Sequence, residues 1–413
     1  MTTADTTVAT ETKPKCRLCG FMSHALGTHL TEVHGLAVGE YLTAYPGSPT
    51  VSEQAMRAWE NRAPATLRRT GPPPPTDLTV KIMDYDIPVV LGVPETACLP
   101  MPDEYRFPQY GQLAVDMAEA SIAVLSGRHT YIYGMPGSGK DAFLHAVAAM
   151  ARRPSIIRTV TPTTDVESWL FVRSFDDKGT HWETNEMFHA LTEGYEAEDG
   201  RRVPYMILIS DFDRATKSQA EFLRLIIDSI SGRVQGPGGK IYNLFPGTQI
   251  VATANTSGGG DTRGRMVSAN PIDGSIMDRF QRVIQFHWME WKDEGPICQA
   301  KFPILATDAP AVFDQIGKAT AIVRQAIYAE KLYAEFSHRA VCNILGHCQD
   351  IINMTGQVPS DLLKRAVRVW ADGLPDEHSQ AEAAKLIDPY IKGGVVGSGS
   401  STRTGRKLGG WTG

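Results

Sequence analysis

Between about residues 78 and 288, short β-branched runs alternate with longer amphipathic stretches. The runs at 130–133, 155–160, 205–209, 249–253 and 283–286 predict five strands. Helical segments or long insertions separate them, which predicts a parallel sheet with helices on both faces. Beyond about residue 292 convincing strands stop and apolar spacing becomes helical, as at 311–335 and 340–353. The expected fold class is therefore α/β: a three-layer αβα parallel sheet followed by an all-α region. No internal repeat interrupts this order.

The ends of the chain follow a different pattern. Residues 1–15 are Thr-rich and lack apolar periodicity, the signature of a disordered tail. A compact unit is expected over 16–46. A polar linker over 47–77 follows it and ends in Gly71 and four prolines, a stiff polyproline spacer. The sheet domain is expected over 78–291, a helical lid over 292–392, and a flexible Gly/Ser-rich tail over 393–413.

Composition narrows the function class. The 413 residues are 42% hydrophobic and 21% charged, as in an ordinary globular protein of two or three domains. With 41 basic and 46 acidic residues the formal charge is −5, so contact with nucleic acid has to be local. No run approaches the ~20 apolar residues of a membrane span, and the polar N-terminus has no signal-peptide core. Six sparse cysteines do not make a disulfide framework and suit a reducing compartment, so the expected location is the cytoplasm.

The strongest chemical signal is GMPGSGKD at 134–141, after one predicted strand and opening a helix over 141–151. Gly134, Pro136, Gly137, Ser138 and Gly139 form a loop whose backbone N–H groups can cradle a phosphate. The helix N-terminus adds its dipole, and Lys140 adds a charge for the β- and γ-phosphates of ATP. The motif normally closes on Ser or Thr, whose hydroxyl ligates Mg²⁺. Here that position is Asp141.

The strand at 205–209 runs into Ser210-Asp211-Phe212-Asp213. Where a P-loop ATPase carries its magnesium-binding Asp, this chain has Ser210. Where a catalytic Glu polarises water, it has Asp211. A one-residue shift would leave Phe212 as the base, which has no proton acceptor. The reading is an exchange: Asp141 and Ser210 together supply the carboxylate and hydroxyl that hold Mg²⁺. Asp211, one methylene shorter than Glu, sets water about 1 Å back and predicts slow turnover. The competing reading is a degenerate site that binds nucleotide and hydrolyses little.

From about residue 78 to 391 the chain resembles the cobaltochelatase ATPase subunit CobS and its relatives in the MoxR/dynein-related AAA+ clade. The segment KIMDYDIP at 81–88, the P-loop, SISGR at 229–233 with the run to Phe245, and VATANTSGGGD at 251–261 leading to SIMDRF at 275–280 carry the resemblance. It implies an AAA+ αβα domain with an all-α lid that assembles into a homo-oligomeric, hexameric ring. It also implies that Asn255 acts as sensor 1, Arg279 as an arginine finger toward the neighbouring subunit, and Arg339 as sensor 2. Read singly, Asn255 also suits a turn, Arg279 an ion pair with Asp278 or Asp273, and Arg339 a helix cap. Relatives work with a partner bearing a von Willebrand factor A domain, which this chain does not contain.

Cys16, Cys19, His29 and His34 have spacings that fit one tetrahedral Zn²⁺, with His24 as a spare. With the following Gly35, Leu36 and Tyr41, this unit resembles the Ros/MucR-type prokaryotic finger. So few apolar residues could not fold without metal, which makes the zinc structural. Residues 1–76 hold seven basic and six acidic side chains, a net of +1, less basic than DNA-binding modules usually are. Arg57, Arg62, Arg68 and Arg69 fit a local basic stripe or a solvated helix face, so both a protein partner and DNA stay open. A finger joined to a chelatase-like ATPase suits a bacteriophage or mobile-element protein.

Three functions follow. The first is an ATP-hydrolysing remodeller of a protein client. The second is a scaffold that ATP assembles without appreciable hydrolysis. The third is a DNA-binding regulator.

Overall fold

The computed structural model describes residues 13–23, 26–52, 79–103, 105–177, 179–228, 232–260 and 268–391. Chain contacts divide it into two units, Met1–Pro72 and Pro73–Gly413. The expectations for His24, for the arginines at 57, 62, 68 and 69, for the polyproline run, for 229–231 and for the tail at 393–413 lie outside the described residues.

In the first unit a knuckle closes by the bridge Lys15↔Met22 and by the hydrogen bond from Cys16 N to Phe21 O. Two helices follow, α1 (Gly27–His34) and α2 (Val38–Ala44). Cys16, Leu26, Leu30 and Tyr41 form its buried core. That core is small, so apolar burial at ~25 cal/mol per Å² cannot by itself offset the ordering of the chain. Residues 47–52, which composition assigns to the linker, pack with this unit: Leu26 N donates to Thr50 O at 2.8 Å, and Ser48 and Ser52 are buried.

The second unit begins with the hairpin β1 (Thr79–Ile82) and β2 (Tyr85–Pro88), then α3 (Gly111–Leu125), β3 (Thr130–Gly134), α4 (Lys140–Met150) and β4 (Ser155–Thr159). A hairpin of β5 (Phe171–Asp176) and β6 (Gly179–Thr184) leads to α5 (Glu186–Thr192) and the short pair β7 (Tyr195–Glu196) and β8 (Arg202–Val203). Then come β9 (Met206–Ser210), α6 (Lys217–Ile227), the hairpin β10 (Arg233–Gln235) and β11 (Ile241–Asn243), β12 (Gln249–Ala254), α7 (Gly274–Met277) and β13 (Arg282–Phe286).

Five strands form one parallel sheet in the order β13-β3-β12-β9-β4. Parallel neighbours need crossover connections, so helices cover both faces. Side-chain alternation divides the strands between two cores. Tyr131, Ile207, Ile209, Ile250 and Ala252 face one core, with Leu191 and Leu223. Ile132, Leu208 and Val251 face the other, with Met117 and Phe143. This is the αβα sheet of the AAA+ P-loop fold, and each of the five strands expected from the sequence is present.

Helices alone follow: α8 (Trp291–Lys301), α9 (Pro303–Asp308), α10 (Ala311–Tyr328), α11 (His338–Thr355), α12 (Leu362–Asp372) and α13 (Glu377–Ile391). They enclose a third core around Phe313, Phe336 and Leu345. The helical spacing at 311–335 overran the element. Helix α10 stops at Tyr328 because Glu330 turns left-handed at φ 61° and Lys331 N returns to Ala326 O at 2.8 Å. Among the described residues no helix is long and apolar enough to cross a membrane.

Candidate functional site

Strand β3 delivers the glycine-rich loop to the carboxyl edge of the sheet, the position where parallel α/β sheets bind ligands. Gly134 ends the strand so close to β13 that a Cβ there would meet Phe286 O. Gly137 and Gly139 take φ of 69° and 86°, left-handed conformations that turn the loop into the N-terminus of α4. Trp288 Nε1 donates to Pro136 O at 3.0 Å and pins the loop from the side of the helical region. Ser138 is buried, and its Oγ has no hydrogen-bond partner among the described residues.

Lys140, the first residue of α4, folds back over this loop. Its Nζ donates to Gly134 O at 2.8 Å, to Met135 O at 3.3 Å and to Asn255 Oδ1 at 3.3 Å. Burial draws its pKa below the ordinary lysine value, while the carboxylates of Asp141, Asp213, Asp211 and Glu335 act against that shift. An ammonium held by carbonyls and an amide, with carboxylates nearby, is a charge poised for an anion.

Asp141 is exposed in the first turn of α4, and its Oδ1 accepts from Thr253 Oγ1 on β12 at 2.7 Å. Ser210 ends β9, buried, with an Oγ that has no hydrogen-bond partner among the described residues. Asp211 follows in a left-handed conformation (φ 54°, ψ 40°), uncommon for a non-glycine residue and frequent at functional sites. It ion-pairs with Arg214 Nε at 3.6 Å. Burial raises its pKa, Arg214 opposes the rise, and the neighbouring Asp141 and Asp213 carboxylates add to it. Asp141, Asp211 and Lys140 thus share one electrostatic neighbourhood.

Asp213, to which sequence reasoning gave no role, is fully buried. Its Oδ2 accepts from Asn255 N, Thr256 N and Thr256 Oγ1 at 3.0, 2.9 and 3.0 Å. It fastens the turn after β9 to the end of β12 and so positions Asn255 beside Lys140. Thr253 and Asp213 were missed because neither carries a local motif; a polar residue within a buried strand, as Thr253 is, was the available signal.

The helical region closes over the loop. Ser337 caps α11 by accepting from Ala340 N, and it packs so tightly on the loop that a Cβ on Gly137 would lie 2.5 Å from Ser337 Cβ. Arg339 is exposed in that same first turn of α11. A cleft of about 630 Å³ is lined by Met135 of the loop and by Tyr333, Glu335, Asn343, His347 and Trp370 of the helical region; Arg339 is not among its lining residues. That volume is within the range of small-ligand pockets, and apolar walls with a few polar groups suit a base and sugar. These lining residues also lay beyond sequence reasoning, since folding alone brings them to the loop.

Arg279 is not drawn to Lys140. Its Nη1 donates to Ser275 O at 2.5 Å and its Nε pairs with Asp228 at 3.5 Å. The ion pair is thus with Asp228 and not with the sequence neighbours Asp273 or Asp278. Asp273 instead caps α7 by accepting from Ser275 N.

In the first unit the four zinc candidates converge. Cys19 Sγ lies 3.1 Å from His29 Nε2 and 3.4 Å from His34 Nε2; His34 Nε2 lies 3.2 Å from His29 Nε2 and 3.7 Å from Cys16 Sγ. Zn–S and Zn–N bonds of ~2.3 and ~2.0 Å give tetrahedral edges of about 3.3–3.8 Å, so these residues fit the ion. Phe21 stacks on the His29 ring at 4.3 Å and fixes its plane.

No protein-family model matches the chain, and no curated protein matches it. Solved structures do. The Thermotoga maritima RuvB Holliday junction branch migration motor aligns over 67% of this chain and 74% of its own, at 14% identity and a TM-score of 0.41. A variant of that RuvB covers 70% of this chain and 78% of its own, at 15% identity and a TM-score of 0.41. A candidate ATPase from Cytophaga hutchinsonii covers 68% and 88%, at 13% identity and a TM-score of 0.31. Likeness at this level adds nothing to the fold that the sheet topology already gives.

Proposed function

We propose that this chain binds Mg·ATP between its phosphate loop and helical lid and hydrolyses it slowly, as a subunit of a ring-forming AAA+ motor that remodels a protein client. The observation that carries the reading is the placement of Lys140 Nζ at the junction of Gly134 O, Met135 O and Asn255 Oδ1, next to the cleft at Met135. The loop N–H groups and Lys140 bind the phosphates, and the cleft takes the base. Asp141 and Ser210 are the residues to hold Mg²⁺, which neutralises charge on the phosphate oxygens. The exposed carboxylate and the unpartnered buried hydroxyl fit a hard cation. Asp211 orients water, Asn255 acts as sensor 1 and Arg339 as sensor 2.

Arg279 serves the neighbouring subunit. A guanidinium brought in this way is worth roughly 10³–10⁵ in rate in P-loop enzymes. The ring is hexameric in this reading, with motion of the lid passed through the β10–β11 hairpin to a client and a von Willebrand factor A-domain protein as partner, as in CobS and MoxR relatives. The finger holds Zn²⁺ and recruits the client or a DNA site.

The experiment is complementation in trans. Lys140→Ala and Arg279→Ala chains, each inactive alone, are mixed at equal concentration. Recovery of turnover supports a finger acting across a subunit boundary; a mixture as inactive as its parts removes the ring mechanism. A second reading, the nucleotide-gated scaffold, is favoured by the Asp211–Arg214 pair, which holds the base in a competing contact. It requires ATP-dependent assembly with no turnover above the Lys140→Ala blank.

A further inference from the structure

The lid holds a second group of metal-ligating side chains that the ATPase chemistry does not use. Cys298 on α8, and His338 and Cys342 on α11, place their ligand atoms within 4.8 Å of one another. Cys298 is fully buried and Cys342 nearly so, inside the core of the lid. His338 Nε2 lies 3.3 Å from Cys342 Sγ, about the edge of a zinc tetrahedron, whose Zn–S and Zn–N bonds are ~2.3 and ~2.0 Å.

What sets this cluster apart from buried thiols in general is the group behind the histidine. His338 Nδ1 lies 2.9 Å from Oε1 of Glu294, whose side chain is fully buried. Arg324 grips the same carboxylate through Nη1 to Oε2 at 2.6 Å and Nη2 to Oε1 at 3.0 Å, so the carboxylate is charged and fixed. A carboxylate accepting from Nδ1–H leaves Nε2 as a lone-pair donor turned toward the two sulfurs, the orientation metal-ligating histidines take. Glu294 and Cys298 are four residues apart on α8, and His338 and Cys342 four apart on α11. Each helix therefore contributes both members of its pair from one face. Cys348, also buried on α11, lies outside the group.

We propose that Cys298, His338 and Cys342 form a metal site for a thiophilic divalent cation of the Zn²⁺ class, with Glu294 as the positioning residue for His338. Two thiols lose their protons to solvent on binding, and the fourth coordination position belongs to water or another small ligand. The half-exposed His338 gives the ion its path from solvent. The consequence is mechanical. His338 lies between Ser337, which packs on Gly137 of the phosphate loop, and Arg339. An ion shared by α8 and α11 therefore ties the turn that touches the loop to the body of the lid.

The test uses the full-length chain with Cys16→Ser and Cys19→Ser, which removes the finger thiolates, and Co²⁺ as a spectroscopic probe under reducing conditions. The expected result is one equivalent of tightly bound Co²⁺ with a thiolate charge-transfer band, displaced by Zn²⁺. Adding Cys298→Ser and Cys342→Ser should abolish the band. Because both cysteines are buried, His338→Gln provides a milder arm: affinity should weaken at least about 10-fold while the metal-free melting temperature stays near that of the parent. Absence of a thiolate band in the finger variant, or a band that survives loss of Cys298 and Cys342, would overturn the proposal. The readout is stoichiometry and spectrum, so it stands apart from ATP turnover.

Discussion

Thr253 Oγ1 donates a 2.7 Å hydrogen bond to Asp141 Oδ1, tying the buried strand β12 to the first turn of α4. The carboxylate that replaces the usual hydroxyl of the phosphate loop is thus aimed by a hydroxyl from the neighbouring strand. Thr253→Val keeps the shape and deletes the bond. Partners that orient a ligating carboxylate typically contribute about 10–100-fold in metal affinity. The Mg²⁺ concentration for half-maximal turnover should therefore rise about 10-fold in this variant, and an unchanged Mg²⁺ requirement would mean that Asp141 does not hold the ion.

The proposal that Asp141 and Ser210 together hold Mg²⁺ is tested separately by exchanging the two residues. Asp141→Ser alone leaves two hydroxyls and no carboxylate, and Ser210→Asp alone leaves two carboxylates. Each should lower turnover by at least about 10-fold, the low end for loss of a group that supports a metal site. The double variant restores one of each and should recover most of the loss. Additive losses in the double variant would show that the two positions do not act together.

Much of the sheet was legible from sequence because its strands are short apolar runs between polar breaks. The loop at 134–141 was legible because the glycines and lysine that shape it are adjacent in the chain. Thr253, Asp213 and the Met135–Trp370 cleft were not, since each works through partners that folding brings from far away in the chain. Helix α10 shows a different failure. Apolar spacing continues past Tyr328, but the left-handed Glu330 stops the helix, and periodicity carries no information about φ. The lid cluster of Cys298, His338 and Cys342 has no motif spacing and emerges only when α8 meets α11.

Glu294 and Arg324 form a buried ion pair with two hydrogen bonds, and Arg324 also donates to Phe336 O at 2.8 Å and Met289 O at 2.6 Å. Removing one member of such a pair leaves an uncompensated charge at a cost of about 3–5 kcal/mol. Arg324→Met should show that loss in denaturant unfolding followed by far-UV circular dichroism. A loss below about 1 kcal/mol, the level of an exposed pair, would contradict the buried geometry.

His129 is buried just before β3, and its Nδ1 accepts from Ile250 N at 3.1 Å. Burial pushes its pKa down to about 4, below the ordinary histidine value. The unfolded chain therefore binds the proton first. The contribution to stability is complete above about pH 6.5 and is lost as pH falls toward 4. Between pH 7 and pH 5 this amounts to about 2 kcal/mol, from ~1.4 kcal/mol per unit. His129→Asn keeps an acceptor without the titration, so its acid loss of stability should be smaller by about that amount. Equal acid slopes in the two chains would remove His129 as the cause.

The most direct test of the ATPase account is steady-state, Mg²⁺-dependent ATP turnover of the purified full-length chain against Lys140→Ala. Slow turnover that saturates with ATP and disappears in Lys140→Ala is expected, because among the described residues Lys140 is the ammonium that contacts Gly134 O and Asn255 Oδ1. Tight ATP binding with turnover no higher than the Lys140→Ala blank would contradict hydrolysis and leave the scaffold reading in its place.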